Sequence, residues 1–374
     1  MTLSPIRTTI LGRRDVPGFV VAWNELQERS AENNVYYTSH YANSLLETVE
    51  KNREVRFVTA WREKTLVGFL PIVTSKAFVP GLSAVGQAWQ TPYTFSCTPI
   101  LDKGVVSGSA AALIDALSKL RKGEWVIPNI NVDGVVCGAF REAMAKRHIP
   151  STFTNAFERA SLSTRDSFEH HMDAHVSSKL RRDMARKRRR LEERGKVTFE
   201  THDQGEGLDK AIDEFLRIEA GGWKGERGTA LACSVNSKEF AYRVFKGGVA
   251  GHCRADVLIL NKETIAVAIM VKAGRTGFTV KNSYDEKYSA FSPGLLLEIE
   301  IIRRLLGDEW LDNLDSGTNG KHVIDGFWPG RIKVADLVFS TSGLLAKQRL
   351  ALYCAGARAS AQLKSRLKKI LKRD

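Results

Sequence analysis

Cysteine is scarce in this 374-residue chain: five residues, Cys97, Cys137, Cys233, Cys253 and Cys354, with no CxxC pair and no histidines at ligand spacing beside them. That pattern argues against a disulfide framework or a zinc site, so the thiols are expected to be reduced and mostly buried, and no metal is expected. Long apolar runs are missing too. None approaches the roughly 20 residues needed to cross a bilayer, and the opening MTLSPIRTTILGRRD lacks the apolar core of a signal peptide. The expectation is a cytoplasmic protein. No Pro- or Ser-rich linker interrupts the chain, so its domains are expected to pack directly.

Acidic charge is in short supply: 42 Asp and Glu face 56 Lys and Arg, a net +14. Two stretches hold the excess. KLRRDMARKRRR, residues 179–190, carries a net +7, and residues 346–374 carry a net +8, which leaves the remainder near neutral. Each is either a solvated helix face or a surface for a phosphate-bearing or otherwise anionic partner. In QLKSRLKKILKRD, helical spacing puts Leu363, Leu367, Ile370 and Leu371 on one face among cations, as in helices that lie on anionic membranes.

What is present is 43% apolar and 26% charged, enough for two or three ordinary cores. The first half reads as a helix (DVPGFVVAWNELQERS), a strand pair (VRFVTAWREKTLVGFLPIVTSKAFV), a helix (SAAALIDALSKL), a strand (EWVIPNINV), a helix (GAFREAMAKRH) and a short strand near STFTNAFERASL. A similar order returns after residue 165. A basic helix over 177–194 stands in front of strand KVTFETHD. Helices GLDKAIDEFLRIEA and SKEFAYRVFKGGVA then lead to strands ADVLILN, TIAVAIMVKAG and GFTVKNSYD. A helix over 293–306, strand WLDNLDS, a short helix around 322–328 and strand VADLVFS follow. The boundary is expected near SLSTRDSFEHH, where apolar patterning lapses. The similar order suggests a structural duplication.

The stretch YDEKYSAFSPGLLLEIEIIRRLL carries a helix start at Ser292-Pro293-Gly294. Ser292 can cap free amides, Pro293 suits a first turn, and Gly294 lets a ligand approach the backbone. The start is either structural or an anion site fed by free N–H groups and the helix dipole. Strand alternation places Lys281, Ser283 and Asp285 on one face and Tyr284 and Glu286 on the other. Asp285 and Glu286 are candidate bases, with ion pairing to a neighbouring cation as the alternative. In NLDSGTNGKHVIDGFWPGR, Asp315 and His322 are the further proton-handling candidates. Trp328 and Arg331 can stack on or pair with a substrate, and Trp328 is equally suited to a core.

SSKLRRDMARKRRRLEERGKVTFE, FLRIEAGGWKGERGTAL, VKNSYDEKYSAFSPGLLL and LDSGTNGKHVIDGFWPGRI, in this order and spacing, resemble the GNAT acyltransferases. More narrowly they resemble the two-domain CelD/BcsL-type branch associated with cellulose biosynthesis and, more distantly, the FemABX aminoacyltransferases. The resemblance covers the second half well and the first in outline. The usual phosphate loop, Q/R-x-x-G-x-G/A, is replaced by YSAFSPGLL with a single glycine, a Pro-Gly form common in the two-domain branch.

The resemblance implies a mixed α/β chain of two tandem GNAT-like domains, each a mostly antiparallel mixed sheet flanked by helices. Residues 1–165 would form a degenerate first domain, 166–345 the catalytic one and 346–374 a basic amphipathic helix. It implies acetyl-CoA or another acyl-CoA as donor, with Ser292, Gly294 and Leu295 at the pyrophosphate. The glycine-interrupted GGWKGERGTAL would cover the acceptor, making Trp223, Lys224 and Thr229 acceptor-side candidates with Lys281 and Tyr284, unless the tryptophan is simply packed in a turn. The acceptor would be an amine or hydroxyl of a small molecule, a sugar or a cell-envelope glycan precursor. Two alternatives stand beside this one: FemABX-like transfer from aminoacyl-tRNA, and a non-catalytic basic protein docking on nucleic acid or an anionic membrane. The single basic helix, where FemABX proteins carry a longer coiled pair, speaks against the former.

Overall fold

The computed structural model describes residues 4–75, 84–246 and 251–370, with side chains to residue 359. In chain order come β1 (Ile6–Leu11), α1 (Val16–Glu28), α2 (Ser39–Glu47), β2 (Arg56–Arg62), β3 (Thr65–Ser75), β4 (Val85–Ala88), β5 (Ile100–Leu101), α3 (Val106–Leu120), β6 (Glu124–Asn131) and α4 (Val135–Lys146). These are followed by β7 (Ser151–Ser163), α5 (Phe168–His175), α6 (Ser178–Glu192), β8 (Val197–His202), α7 (Gly205–Gly221), α8 (Trp223–Glu226) and α9 (Val235–Ala241). The last are β9 (Cys253–Leu260), β10 (Glu263–Ala273), β11 (Thr276–Tyr284), α10 (Pro293–Leu305), β12 (Asn313–Asp315), β13 (Gly330–Ser340) and α11 (Ala346–Ile370).

Two compact units divide these elements, and neither is a single stretch of chain. Unit 1 comprises residues 1–37, 54–157 and 333–374; unit 2 comprises 38–53 and 158–332. The division therefore differs from a linear one at 165 and 345. Both units are mixed α/β, the expected class, with mostly antiparallel sheets flanked by helices.

In unit 1 the strand order is β1-β2-β3-β4-β6-β13, with β5 on β3, and only the β4/β6 pair is parallel. Trp23, Phe57 and Phe69 pack ring to ring beneath α1, with centroids 4.2–5.8 Å apart. The carboxylate of Glu124, fully buried, accepts both arms of the Arg349 guanidinium from α11 at 2.8 and 3.0 Å. Leu363, Leu367 and Ile370 lie where the backbone is helical but side chains are outside the described residues, as Leu371 is altogether.

In unit 2 the order is β7-β12-β11-β10-β9-β8. β9 and β10 form a hairpin whose two-residue turn, Asn261-Lys262, has both residues at positive φ, the twist-matched turn that asparagine tolerates best. β10 is buried from Ile265 to Val271, because helices cover it on both faces. Ala266, Ala268 and Met270 join Leu296, Leu297, Ile301 and Ile302 of α10 in one core, while alternation turns Val267, Ile269 and Val271 the other way. α7 buries Leu208, Ala211, Ile212, Phe215 and Leu216, the three- and four-residue spacing of an amphipathic helix.

α6 is the basic helix. Ser177 Oγ accepts the Leu180 N–H at its start, Met184 and Leu191 are buried, and Arg182, Arg186, Arg189 and Arg190 are exposed, so the helix has one apolar and one basic face. Four of the five cysteines are buried, Cys233 is exposed, and all are free thiols. No helix among the described residues is long and apolar enough to cross a membrane.

Candidate active site

The site forms where β11 and β12 part. They pair in parallel over three residues only, Thr276–Asn313, Gly277–Leu314 and Phe278–Asp315. β12 then ends while β11 continues to Tyr284, so the β11 edge from Thr279 onward has no strand partner on that side among the described residues. Opposite β10, Val280 is an extra residue between Thr279 and Lys281. Such a bulge re-aims the strand at a functional edge. Beyond it Lys281, Ser283 and Asp285 are half-buried and Asn282, Tyr284 and Glu286 exposed, as strand alternation requires.

A 3-10 turn, Glu286–Phe291, delivers the chain to α10. Ser292 stands at the junction in the left-handed conformation (φ 51°, ψ 55°). This corrects the expectation that its side chain caps the helix: an N-cap needs extended backbone to turn its oxygen onto the next amides, and Ser292 Oγ makes no such bond. It instead accepts the Lys187 ammonium of α6 at 2.9 Å. The amide of Leu295 is already engaged, donating to Ser292 O at 3.0 Å, whereas Gly294 N–H has no intramolecular acceptor among the described residues. The launch of α10 thus combines a free amide, the positive end of a dipole and a cation, the components of an anion site.

Glu219, at the buried end of α7, was not singled out from sequence. One oxygen meets both Lys281 (3.1 Å) and Lys224 (3.2 Å), and the other accepts the Leu231 N–H at 2.8 Å. Burial alone would raise its pKa, but Lys281, the Leu231 amide and Lys224 outweigh it and the carboxyl is held low, hence ionised. It ties the glycine-interrupted segment to β11. That segment is in part helical: α7 runs to Gly221, α8 is a single turn so tight that a Cβ on Gly225 would lie 1.8 Å from the Ala220 carbonyl oxygen, and 227–230 are turn and irregular chain. The Trp223 N–H donates to Glu286 Oε1 at 2.9 Å, and its half-exposed ring lies under Arg227 and Lys224. Thr229 is exposed, its hydroxyl donating to Lys224 O.

The structure therefore gathers Glu219, Lys224 and Lys281 in one group and Trp223 and Glu286 in another. Asp285 accepts the Lys287 N–H as the cap of the 3-10 turn. Asp315 is deeply buried, paired with Arg159 at 2.6 Å and accepting the Gly317 N–H. Exposed His322 caps the turn Val323–Gly326 through Nδ1, and no hydrogen bond joins Asp315 or His322 to the 281–295 group among the described residues. Arg331 is exposed, its guanidinium donating to the carbonyls of Trp328 and Gly330. Trp328 takes its core alternative: the ring is fully buried and Nε1–H donates to Glu298 Oε1 at 2.9 Å, so it presents no face to a substrate.

Glu298, one turn into α10 from Gly294, has its pKa pushed up to about 7, chiefly by burial and further by the Asp256 carboxylate, against the lowering effect of the Trp328 N–H. A folded-state pKa above the unfolded value means stability is fully present below about 4.5 and lost as pH rises towards 7. The loss amounts to about 3 kcal/mol. Glu298→Gln keeps an acceptor for Trp328 and is expected to be the more stable protein at pH 8 and equal to wild type near pH 4.5. Urea titrations at the two pH values check this, and a pH-independent difference would contradict it.

Residues 178–322 match the family model described as an acetyltransferase (GNAT) domain. No curated protein matches the chain. Among solved structures, FemX is similar at 11% identity and TM-score 0.57, covering 87% of this chain and 97% of that one. The C-terminal domain (DUF2156) of a putative lysylphosphatidylglycerol synthetase from Agrobacterium fabrum is similar at 13% and 0.53, covering 91% and 95%. A conserved protein of unknown function from Bacteroides thetaiotaomicron gives 9% and 0.51, covering 89% and 99%. At such identities the likeness is one of fold. The stretch similar to a GNAT acetyltransferase domain, 178–322, includes the parting of β11 from β12 and the launch of α10.

Proposed function

We propose that the protein is an acyltransferase that takes an acyl group, acetyl by preference, from acyl-CoA and passes it to an amine or hydroxyl of a sugar or cell-envelope glycan precursor. The observation that carries the donor assignment is the start of α10, where the Gly294 amide stands at the positive end of the helix dipole and the neighbouring Ser292 hydroxyl holds the Lys187 ammonium, itself also paired with Asp183 at 3.0 Å. The unpaired β11 edge beside it offers backbone groups to an extended thioester arm. The acceptor's nitrogen or oxygen attacks the thioester carbonyl, the carbon–sulfur bond breaks, and the sulfur leaves as thiolate, while the acceptor's proton passes to a base and from there to the thiolate. Asp285 and Glu286, which follow Tyr284 at the end of β11, are the carboxylates assigned to that proton. Trp223, Lys224, Thr229, Lys281 and Tyr284 border the acceptor. The glycan class of acceptor rests on the sequence resemblance.

A side chain at position 294 tests the donor site without threatening the fold, since a Cβ there meets only Tyr284 Cδ1 at 3.6 Å. Gly294→Val is expected to weaken acetyl-CoA binding at least about tenfold, the worth of one charge-assisted hydrogen bond, with an unchanged circular dichroism spectrum. Unaltered affinity would remove the site from α10.

A second reading has one observation in its favour, the row of exposed arginines on α6, which suits a nucleic-acid backbone. It makes the donor an aminoacyl-tRNA, or the protein a non-catalytic binder. Salt-sensitive tRNA binding without acetyl-CoA binding would establish it over the first.

A further inference from the structure

We propose that Asp166, His171 and His175 form a binding site for one divalent transition metal of the zinc class, separate from the acyl-transfer site. The residues lie where apolar patterning lapses in the sequence, yet the chain there is well built. Ser167 Oγ accepts the His170 N–H and starts α5, which places His171 and His175 four residues apart on one helix face, with Asp166 immediately before the cap. The three side chains offer ligand atoms that all lie within 4.8 Å of one another.

His171 is the informative member. Its ring is buried, 2% exposed, and Nε2 lies 2.8 Å from the Phe327 carbonyl oxygen. An imidazole that donates one N–H to a backbone carbonyl has its tautomer fixed and its other nitrogen left as a lone pair, the outer-shell arrangement that metal-ligating histidines use. The His175 ring stands 5.4 Å from it at 66° and reaches solvent, which gives a metal its path in.

Two imidazoles and one carboxylate suit zinc, cobalt or nickel rather than calcium or magnesium, which prefer all-oxygen shells. Tetrahedral zinc at its usual bond lengths needs ligand atoms about 3.3 Å apart. A bound metal would have to draw the three ligand atoms together, a movement that exposed His175 and half-buried Asp166 can follow more readily than buried His171. Asp166 would be drawn from His170, whose Nε2 lies 3.8 Å away. The bound metal would tie the end of the β7 connection to α5 and, through His171, to the segment that carries Phe327 and Trp328 into the core. It adds an ion to a chain whose cysteine pattern gave no reason to expect one.

The test uses the full-length protein, free of any affinity tag and stripped with a chelator, titrated with Zn2+ and Co2+ and followed by calorimetry and thermal unfolding. One equivalent is expected, with a rise in Tm of several degrees and a visible Co2+ spectrum of a four-coordinate site. His175→Ala and Asp166→Asn, at positions outside the core, are expected to fold as the metal-free wild type does and to bind at least about tenfold more weakly. His170→Ala is expected to bind as wild type. No equivalent bound by the wild type, or unchanged binding by both ligand variants, overturns the site.

Discussion

Asp315→Ala is expected to unfold about 10 °C below the wild type, a loss of roughly 3–5 kcal/mol. Its carboxylate and the Arg159 guanidinium are 8% and 3% exposed, 2.6 Å apart. Truncation leaves a buried guanidinium without that carboxylate and strips the Gly317 amide of its acceptor. The paired replacement Arg159→Met with Asp315→Leu is expected to regain most of the loss, because the desolvation cost of both charges disappears together. Thermal denaturation of the three variants decides the matter. An Asp315→Ala protein as stable as wild type but without turnover would return Asp315 to the proton-handling candidates.

The second large effect belongs to Glu219. Replaced by alanine, it leaves Lys224 and Lys281 facing one another without the charge between them and frees the Leu231 amide. The expected cost is about 3 kcal/mol, by the same reasoning applied to a pair whose lysines are only partly shielded. It should be felt locally. Hydrogen exchange at Leu231 and across 222–231 is expected to accelerate, and the acceptor's KM to rise while acetyl-CoA affinity holds. Unchanged exchange at Leu231 would show that the carboxylate does not anchor this segment.

Where periodicity was strong, the fold could be read from the chain. The basic helix expected over 177–194 is observed at Ser178–Glu192, the helix expected over 293–306 at Pro293–Leu305, and the strand pair around Glu63-Lys64 is present. What escaped reading is what tertiary contact creates. α2, SHYANSLLE, has too mixed a composition to announce itself, and its Tyr41 ring is buried against Phe240 from nearly two hundred residues away. α5 sits in the stretch read as a boundary, since most of its length is polar. The helix expected through SKEFAYRVFKGGVA breaks after Ala241 into a wider π-turn, Tyr242–Lys246, and its last four residues, 247–250, lie outside the described residues.

In the site, the candidate residues were legible by type and the partnerships were not. Asp285 and Glu286 could be placed at a strand end, but nothing in the sequence pairs Asp315 with Arg159 or Lys187 with Ser292, each more than a hundred residues distant. Glu219 carries a signal in the sequence: it follows Phe215 by four, on the face that carries Leu208 and Ile212, and a carboxylate on an apolar helix face requires a cation.

The interleaving of the two units limits how the chain can be divided. A fragment ending at residue 165 would lack β13 and open a long edge on β6, an invitation to pair with another copy. A fragment beginning at 166 would lack residues 38–53 and uncover Phe240 where Tyr41 had lain. The apparent duplication is therefore not modular: each half of the gene encodes part of the other unit's interior, and neither half can be cut away, swapped or expressed alone without leaving an open seam in both.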